Sequence, residues 1–151
     1  MVITLYAEEI VNNLRSVSHR EVAAIEDPDA RYRAEAGSEK LEEIYRCIQE
    51  AFARLSARCS RWLQATYQHQ RDNTMEIPTQ FIFEFVLSER RAINNTEGLL
   101  NEMHNFMVEY ALSKFYSNVN QGELSNKHSL LALDAGNNID QILYTKKPPR
   151  V

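Results

Sequence analysis

Glycine and proline are scarce, with four of each in 151 residues. An all-β sandwich or barrel needs many tight turns and is excluded by that shortage. The glycines, Gly37, Gly98, Gly122 and Gly136, stand too far apart to form a phosphate-cradling loop. No Gly-x-Ser-x-Gly elbow occurs. No run approaches the roughly 18 apolar residues of a membrane span. The start, Met1-Val2-Ile3-Thr4-Leu5-Tyr6, lacks the basic and apolar regions of a signal peptide. A cytoplasmic protein is therefore expected, or one incorporated from the cytoplasm into a virion.

Cysteine is nearly absent as well. Cys47 and Cys59 are the only two, and both fall in one expected helix. Twelve residues of helix separate them by ~18 Å at the α-helical rise, whereas a disulfide needs Cα atoms within about 7 Å. They cannot pair with each other, and buried small side chains are the expectation. Basic excess is also missing. Lys and Arg total 17 against 21 Asp and Glu, a net charge of −4. A non-specific nucleic-acid binder carries the opposite balance, and no sequence-specific nucleic-acid contact is expected.

What is present is enough apolar sequence, 44% of the chain, to build one core. The periodicity predicts a mainly α fold. A first helix is expected over residues 4–17, capped by Thr4. A short second one starts at the capping-box pattern Ser18-His19-Arg20-Glu21. A third follows Asp27-Pro28 and ends at Gly37. These pieces form an N-terminal helical arm, residues 1–37, packed on a bundle spanning 38–145. The bundle is built on a long helix opened by Ser38, with Leu41, Ile44, Tyr45, Ile48, Phe52, Leu55 and Cys59 at helical spacing. That helix is expected to end between Leu63 and His69, with a loop over Gln68–Thr79. Phe81, Phe83, Phe85 and Leu87 alternate and predict a strand near 81–87. Its partner would be Val2–Tyr6 or the same strand of another subunit. Phe81, Phe85 and Val86 also fit a helix, which is the alternative.

A central helix is expected from about Glu97 to Ser117. Leu99, Met103, Phe106 and Tyr110 make one apolar face, and Val108, Leu112 and Phe115 make a second. A helix apolar on two sides packs against neighbours on both. After Gly122 a last helix runs from about Leu124 to Tyr144, with Leu124, Leu131, Ala135, Ile139 and Ile142 on one face. The basic tail Lys146–Val151 cannot continue it.

No catalytic constellation emerges. The residues three before His19, His69, His104 and His128 are Ser16, Thr66, Asn101 and Ser125, so the Glu-x-x-His pattern of di-iron bundles is missing. His104, beside an apolar face, reads as a hydrogen-bonded structural histidine. No enzyme activity, metal or cofactor is expected.

Interaction features are more distinct. The long helix carries Glu39, Glu43 and Glu50 in its first half and Arg54, Arg58 and Arg61 in its second. That polarity complements the helix dipole, helped by the pairs Glu42–Arg46 and Glu50–Arg54. It also suits a head-to-tail contact between identical subunits, which closes into a ring when the rotation allows. Leu130 and Leu133 point away from the last helix's main apolar face. A second neighbour within the fold and a subunit contact account for them equally. Arg90 and Arg91 are a candidate anion contact, beside the ordinary reading as a solvated loop pair.

The order of elements resembles the small helical head–tail connector (adaptor) proteins of tailed bacteriophages and prophages. The similar stretches are Ala51–Leu63, an Ala-rich helix closing on Trp62-Leu63; Ile77-Pro78 before the central helix; the apolar, tyrosine-bearing Met107–Tyr116; and the closing helix Ile139–Tyr144. The resemblance covers about residues 38–145. It implies a non-enzymatic homo-oligomeric ring between portal and tail, with other copies of itself and phage portal or tail proteins as partners. It brings no active-site residues. The alternative is a bacterial helical protein-binding module, an adaptor or regulator.

Overall fold

The computed structural model describes residues 1–70, 78–86 and 96–144. Leu87, Arg90, Arg91, Ile77 and the basic tail lie outside the described residues. The fold is mainly α with one small sheet. In chain order the elements are β1 (Val2–Tyr6), α1 (Ala7–Val22), α2 (Pro28–Ala34), α3 (Leu41–Cys59), β2 (Leu63–Gln70), β3 (Pro78–Phe85), α4 (Thr96–Asn118) and α5 (Gly122–Tyr144). Short 3-10 turns at Ser38–Lys40 and Ser60–Trp62 flank α3.

The strand expected near 81–87 is present as β3, and both of its sides are paired. β1 runs antiparallel on one side, with Ile3 opposite Phe83, and β2 on the other, with Thr66 also opposite Phe83. Val2–Tyr6 is thus the partner. The residues first expected to open a helix, including Thr4, belong to β1, and α1 begins at Ala7. The long helix ends at Cys59, short of the expected Leu63–His69, because Leu63–Gln70 forms β2, so the expected loop from Gln68 also starts too early. The central place of β3 explains both outcomes: it has backbone groups to pair on each of its two edges, and an extended segment on either side satisfies them.

The alternation of β3 aims Phe81, Phe83 and Phe85 inward, alongside Ile3 and Leu5 of β1. Phe52 of α3 receives them. Its ring lies 4.9 Å from Phe81 and 5.3 Å from Phe83. α3 buries Ile44, Cys47, Ile48, Ala51, Phe52, Leu55 and Cys59, the expected stripe. α4 is the central helix. It touches α1, α3, α5 and β1, and it buries both of its apolar faces.

The N-terminal pieces differ from expectation in one instructive way. α1 runs unbroken through Ser18, so that residue is no cap. Ser18 is fully buried and its hydroxyl accepts the Ala36 N–H at 2.9 Å. Asp27 does cap α2, accepting the Asp29 N–H at 3.2 Å, with Pro28 in the first turn. The α4–α5 turn is made by Asn120 in the left-handed region (φ 61°), and not by Gly122. Gln121 N–H then closes on Tyr116 O at 2.8 Å, a helix-ending bond that leaves few carbonyls unmet.

Candidate functional site

The residues singled out on α3 and α5 converge. Arg54 and Arg58 from α3, Phe106 and Tyr110 from α4, and Leu130 and Leu133 from α5 line one open groove of about 580 Å3. Helical spacing sets this up. Arg54 and Arg58 are four apart, as are Phe106 and Tyr110, so each pair lies on one side of its helix. Phe106 and Tyr110 stack with centroids 5.7 Å apart. Leu130 and Leu133 keep 65% and 51% of their surface exposed, so no neighbour within the fold covers them. Leu131 is also exposed. The buried face of α5 is His128, Ala132, Ala135, Gly136, Ile139 and Leu143; Ala135 and Ile139 belong to the expected face, Leu124 and Ile142 pack at its margin, and Leu131 alone of that set is exposed.

Arg54 and Arg58 differ in their commitments. Arg58 is held within the chain. Its Nη2 donates to Asp140 Oδ2 at 2.9 Å and to Asn137 Oδ1 at 3.1 Å. Gly136 makes room for it, since a Cβ there would sit 2.5 Å from Arg58 Cζ. Arg54 is exposed and has no hydrogen bond or ion pair among the described residues. Arg61 is likewise exposed, beyond the end of α3.

The acidic half of α3 lies at the other end of the helix. Glu39 and Glu50 are exposed and Glu43 is half-buried. Glu42 and Arg46 approach to 3.7 Å, whereas Glu50 and Arg54 form no ion pair. The helix is therefore charge-polarised with most of its charges uncommitted.

A second cluster was not foreseen. His128, 1% exposed, lies between α1 and α4. Its Nε2 meets Glu21 Oε1 at 2.6 Å and its Nδ1 meets the Glu109 carboxylate. Lys127 adds an ion pair to Glu21 at 2.8 Å, and the Tyr116 hydroxyl donates to Glu21. The Tyr116 ring stacks on the imidazole at 5.6 Å. Burial disfavours the imidazolium, but the bonds and charges of Glu109 and Glu21 outweigh it and raise the His128 pKa. Burial also works against the Glu21 carboxylate, yet Lys127 and His128 hold its pKa below the ordinary value. The imidazole at its centre is buried, the Glu21 and Glu109 carboxylates are part-buried, and Lys127 reaches the surface; together they tie α1 to the α4–α5 pair. Sequence offered one signal, a histidine on an apolar face, but its carboxylate partners lie on other helices.

The remaining candidates are dispersed. His104 Nε2 lies 2.7 Å from Asn13 Nδ2, which matches a hydrogen-bonded structural histidine. Burial pushes the Cys47 and Cys59 thiols up to about 12, so neither is a thiolate at neutral pH. Among the described residues no group of His, Cys, Asp and Glu is placed to hold a metal ion, and no helix is long and apolar enough to cross a membrane. In comparisons with known proteins, no family model, no curated protein and no solved structure matches the chain.

Proposed function

We propose that this chain is a non-enzymatic structural assembly protein that works by protein–protein contact through the α3–α4–α5 groove. The observation that carries the reading is the pair Leu130 and Leu133, exposed beside the stacked Phe106 and Tyr110 and rimmed by the uncommitted Arg54. Aromatic and arginine side chains around an apolar centre are the composition of interface hot spots. Exposed aliphatics grouped beside a groove, unlike scattered ones, mark interaction sites. The resemblance to head–tail connectors supplies the setting: a homo-oligomeric ring between portal and tail, incorporated in a virion. The polarised α3 with its flanking turns, acidic at Glu39, Glu43 and Glu50 and basic at Arg54 and Arg61, suits such a head-to-tail repeat.

A second reading is a helical adaptor that captures a different protein in the same groove. The in-chain pairing of Arg58 with Asp140 favours it, because that arginine is withdrawn from a subunit contact. Light scattering coupled to size exclusion separates the two. The assembly reading expects a defined oligomer at high concentration. It also expects Leu130→Lys/Leu133→Lys to be monomeric with unchanged helical circular dichroism. A wild-type chain that stays monomeric at every concentration sinks the assembly reading and leaves the adaptor.

A further inference from the structure

We infer that the occupant of the groove is the α2–α3 junction of a second copy of this chain, with Tyr32 as the inserted side chain. This deepens the assembly reading and rests on it. Tyr32 is 61% exposed on a seven-residue helix. It is a large aromatic held in the open by a braced backbone. Lys40 Nζ donates to the carbonyls of Tyr32, Arg33 and Glu35, each at 2.8 Å, and lies 5.5 Å from the Tyr32 ring centroid. The junction is therefore preorganised, which lowers the entropy cost of presenting the ring to a partner.

Two complementary charge pairs support this end of the molecule as the partner of the groove. Glu39 adjoins Lys40 at the junction, and it is exposed and unpaired among the described residues. It is the complement of Arg54 on the groove rim. Arg33, exposed at the same junction, has a counterpart in Asp134, exposed beside Leu133 on α5. Neither side chain has a hydrogen bond or ion pair among the described residues. The apolar contact matches as well, because the Tyr32 ring would enter between the Leu130–Leu133 pair and the stacked Phe106–Tyr110 pair. Junction and groove are different surfaces, so the contact is heterologous. Each copy then offers one free groove and one free junction to its neighbours.

The test uses two variants of the full chain, both altered only at exposed positions. One is the groove variant Leu130→Lys/Leu133→Lys, and the other is the junction variant Tyr32→Ala/Glu39→Lys. Circular dichroism checks that each keeps its helices. In light scattering, each variant alone is expected to associate more than about tenfold more weakly than wild type, as for loss of a hot spot. An equimolar mixture should form a complex of one copy of each, since an intact junction and an intact groove remain between them. A junction variant that assembles like wild type overturns the inference while the assembly reading stands. So does a mixture that stays monomeric while wild type assembles. A wild type that never assembles overturns both. As an independent check, Arg54→Glu should weaken assembly and Glu39→Lys in the same chain should restore it. Failure of that restoration counts against the Glu39–Arg54 pairing.

Discussion

His128 on α5 and Glu21 near the end of α1 are 107 residues apart in the chain and meet at 2.6 Å. Glu109 of α4 holds the other imidazole nitrogen, so three helices share one charge cluster around a buried imidazole. Removing the imidazole takes from Glu109 its hydrogen-bond partner and leaves Glu21 with only Lys127 and the Tyr116 hydroxyl. His128→Ala is expected to destabilise the chain by about 3 kcal/mol, the range for breaking a buried pair from one side. Urea unfolding followed by circular dichroism measures this, and a loss near zero would show that the cluster is not a tie.

The same cluster sets a pH window. His128 has a raised folded pKa, so its contribution is complete below the ordinary value of 6.5 and is lost as pH rises through the raised value. Glu21 has a lowered folded pKa, so its contribution is complete above the ordinary value of 4.5 and is lost as pH falls through the lowered value. The cluster therefore stabilises most between about 4.5 and 6.5. Thermal melts across pH should show His128→Gln flattening the alkaline side of that plateau. An alkaline limb identical to wild type would assign the dependence elsewhere.

Phe52 joins α3 to the sheet by contacting both Phe81 and Phe83. Phe52→Ala is expected to cost about 3–5 kcal/mol through lost burial and the cavity left behind. Phe52→Leu should cost less, because it fills more of the space. Equal midpoints for the two variants in urea would contradict this account of the sheet's attachment.

Gly136 and Arg58 offer a subtler test. A methyl group at Gly136 must displace the Arg58 guanidinium from Asp140, since Cβ and Cζ would be 2.5 Å apart. The ion pair is partly exposed, so its loss is expected to cost only about 0.5–1 kcal/mol. Gly136→Ala also gains helix propensity of similar size. A double-mutant cycle of Gly136→Ala with Asp140→Asn tests this, and zero coupling between the two substitutions would contradict it.

Cys47 and Cys59 are buried, with thiols pushed up to about 12. A thiol reagent at neutral pH should react with neither until denaturant is added, because the attacking species is the thiolate. Rapid native labelling of either cysteine would show local opening at α3.

Much of this architecture was legible from residue spacing. Ile44, Ile48, Phe52, Leu55 and Cys59 announce α3 because a buried helix face must repeat every three or four residues. Phe81, Phe83 and Phe85 announce β3 by alternating. The two apolar faces of α4 announce a central helix, and the structure buries both. The scarcity of glycine set the helical class at the outset.

Other features had no local signature. Leu63–Gln70 has weak alternation, and it is a strand because β3 presents backbone groups that need a partner on that side. The segment around Thr4 fits a helix start in isolation, yet the first strand forms there because it satisfies the other side of β3. Ser18 and Glu21 resemble a helix cap, but Ser18 bonds Ala36 and Glu21 turns to His128. The exposure of Leu130 and Leu133 and their meeting with Arg54 also depend on how α3, α4 and α5 pack. The sequence by itself determined where apolar faces run along each element, because side-chain spacing is a local property. Only the tertiary structure decided which charges are neutralised inside, which strands pair and which leucines stay in water. Those outcomes depend on distances between residues that the chain order keeps far apart.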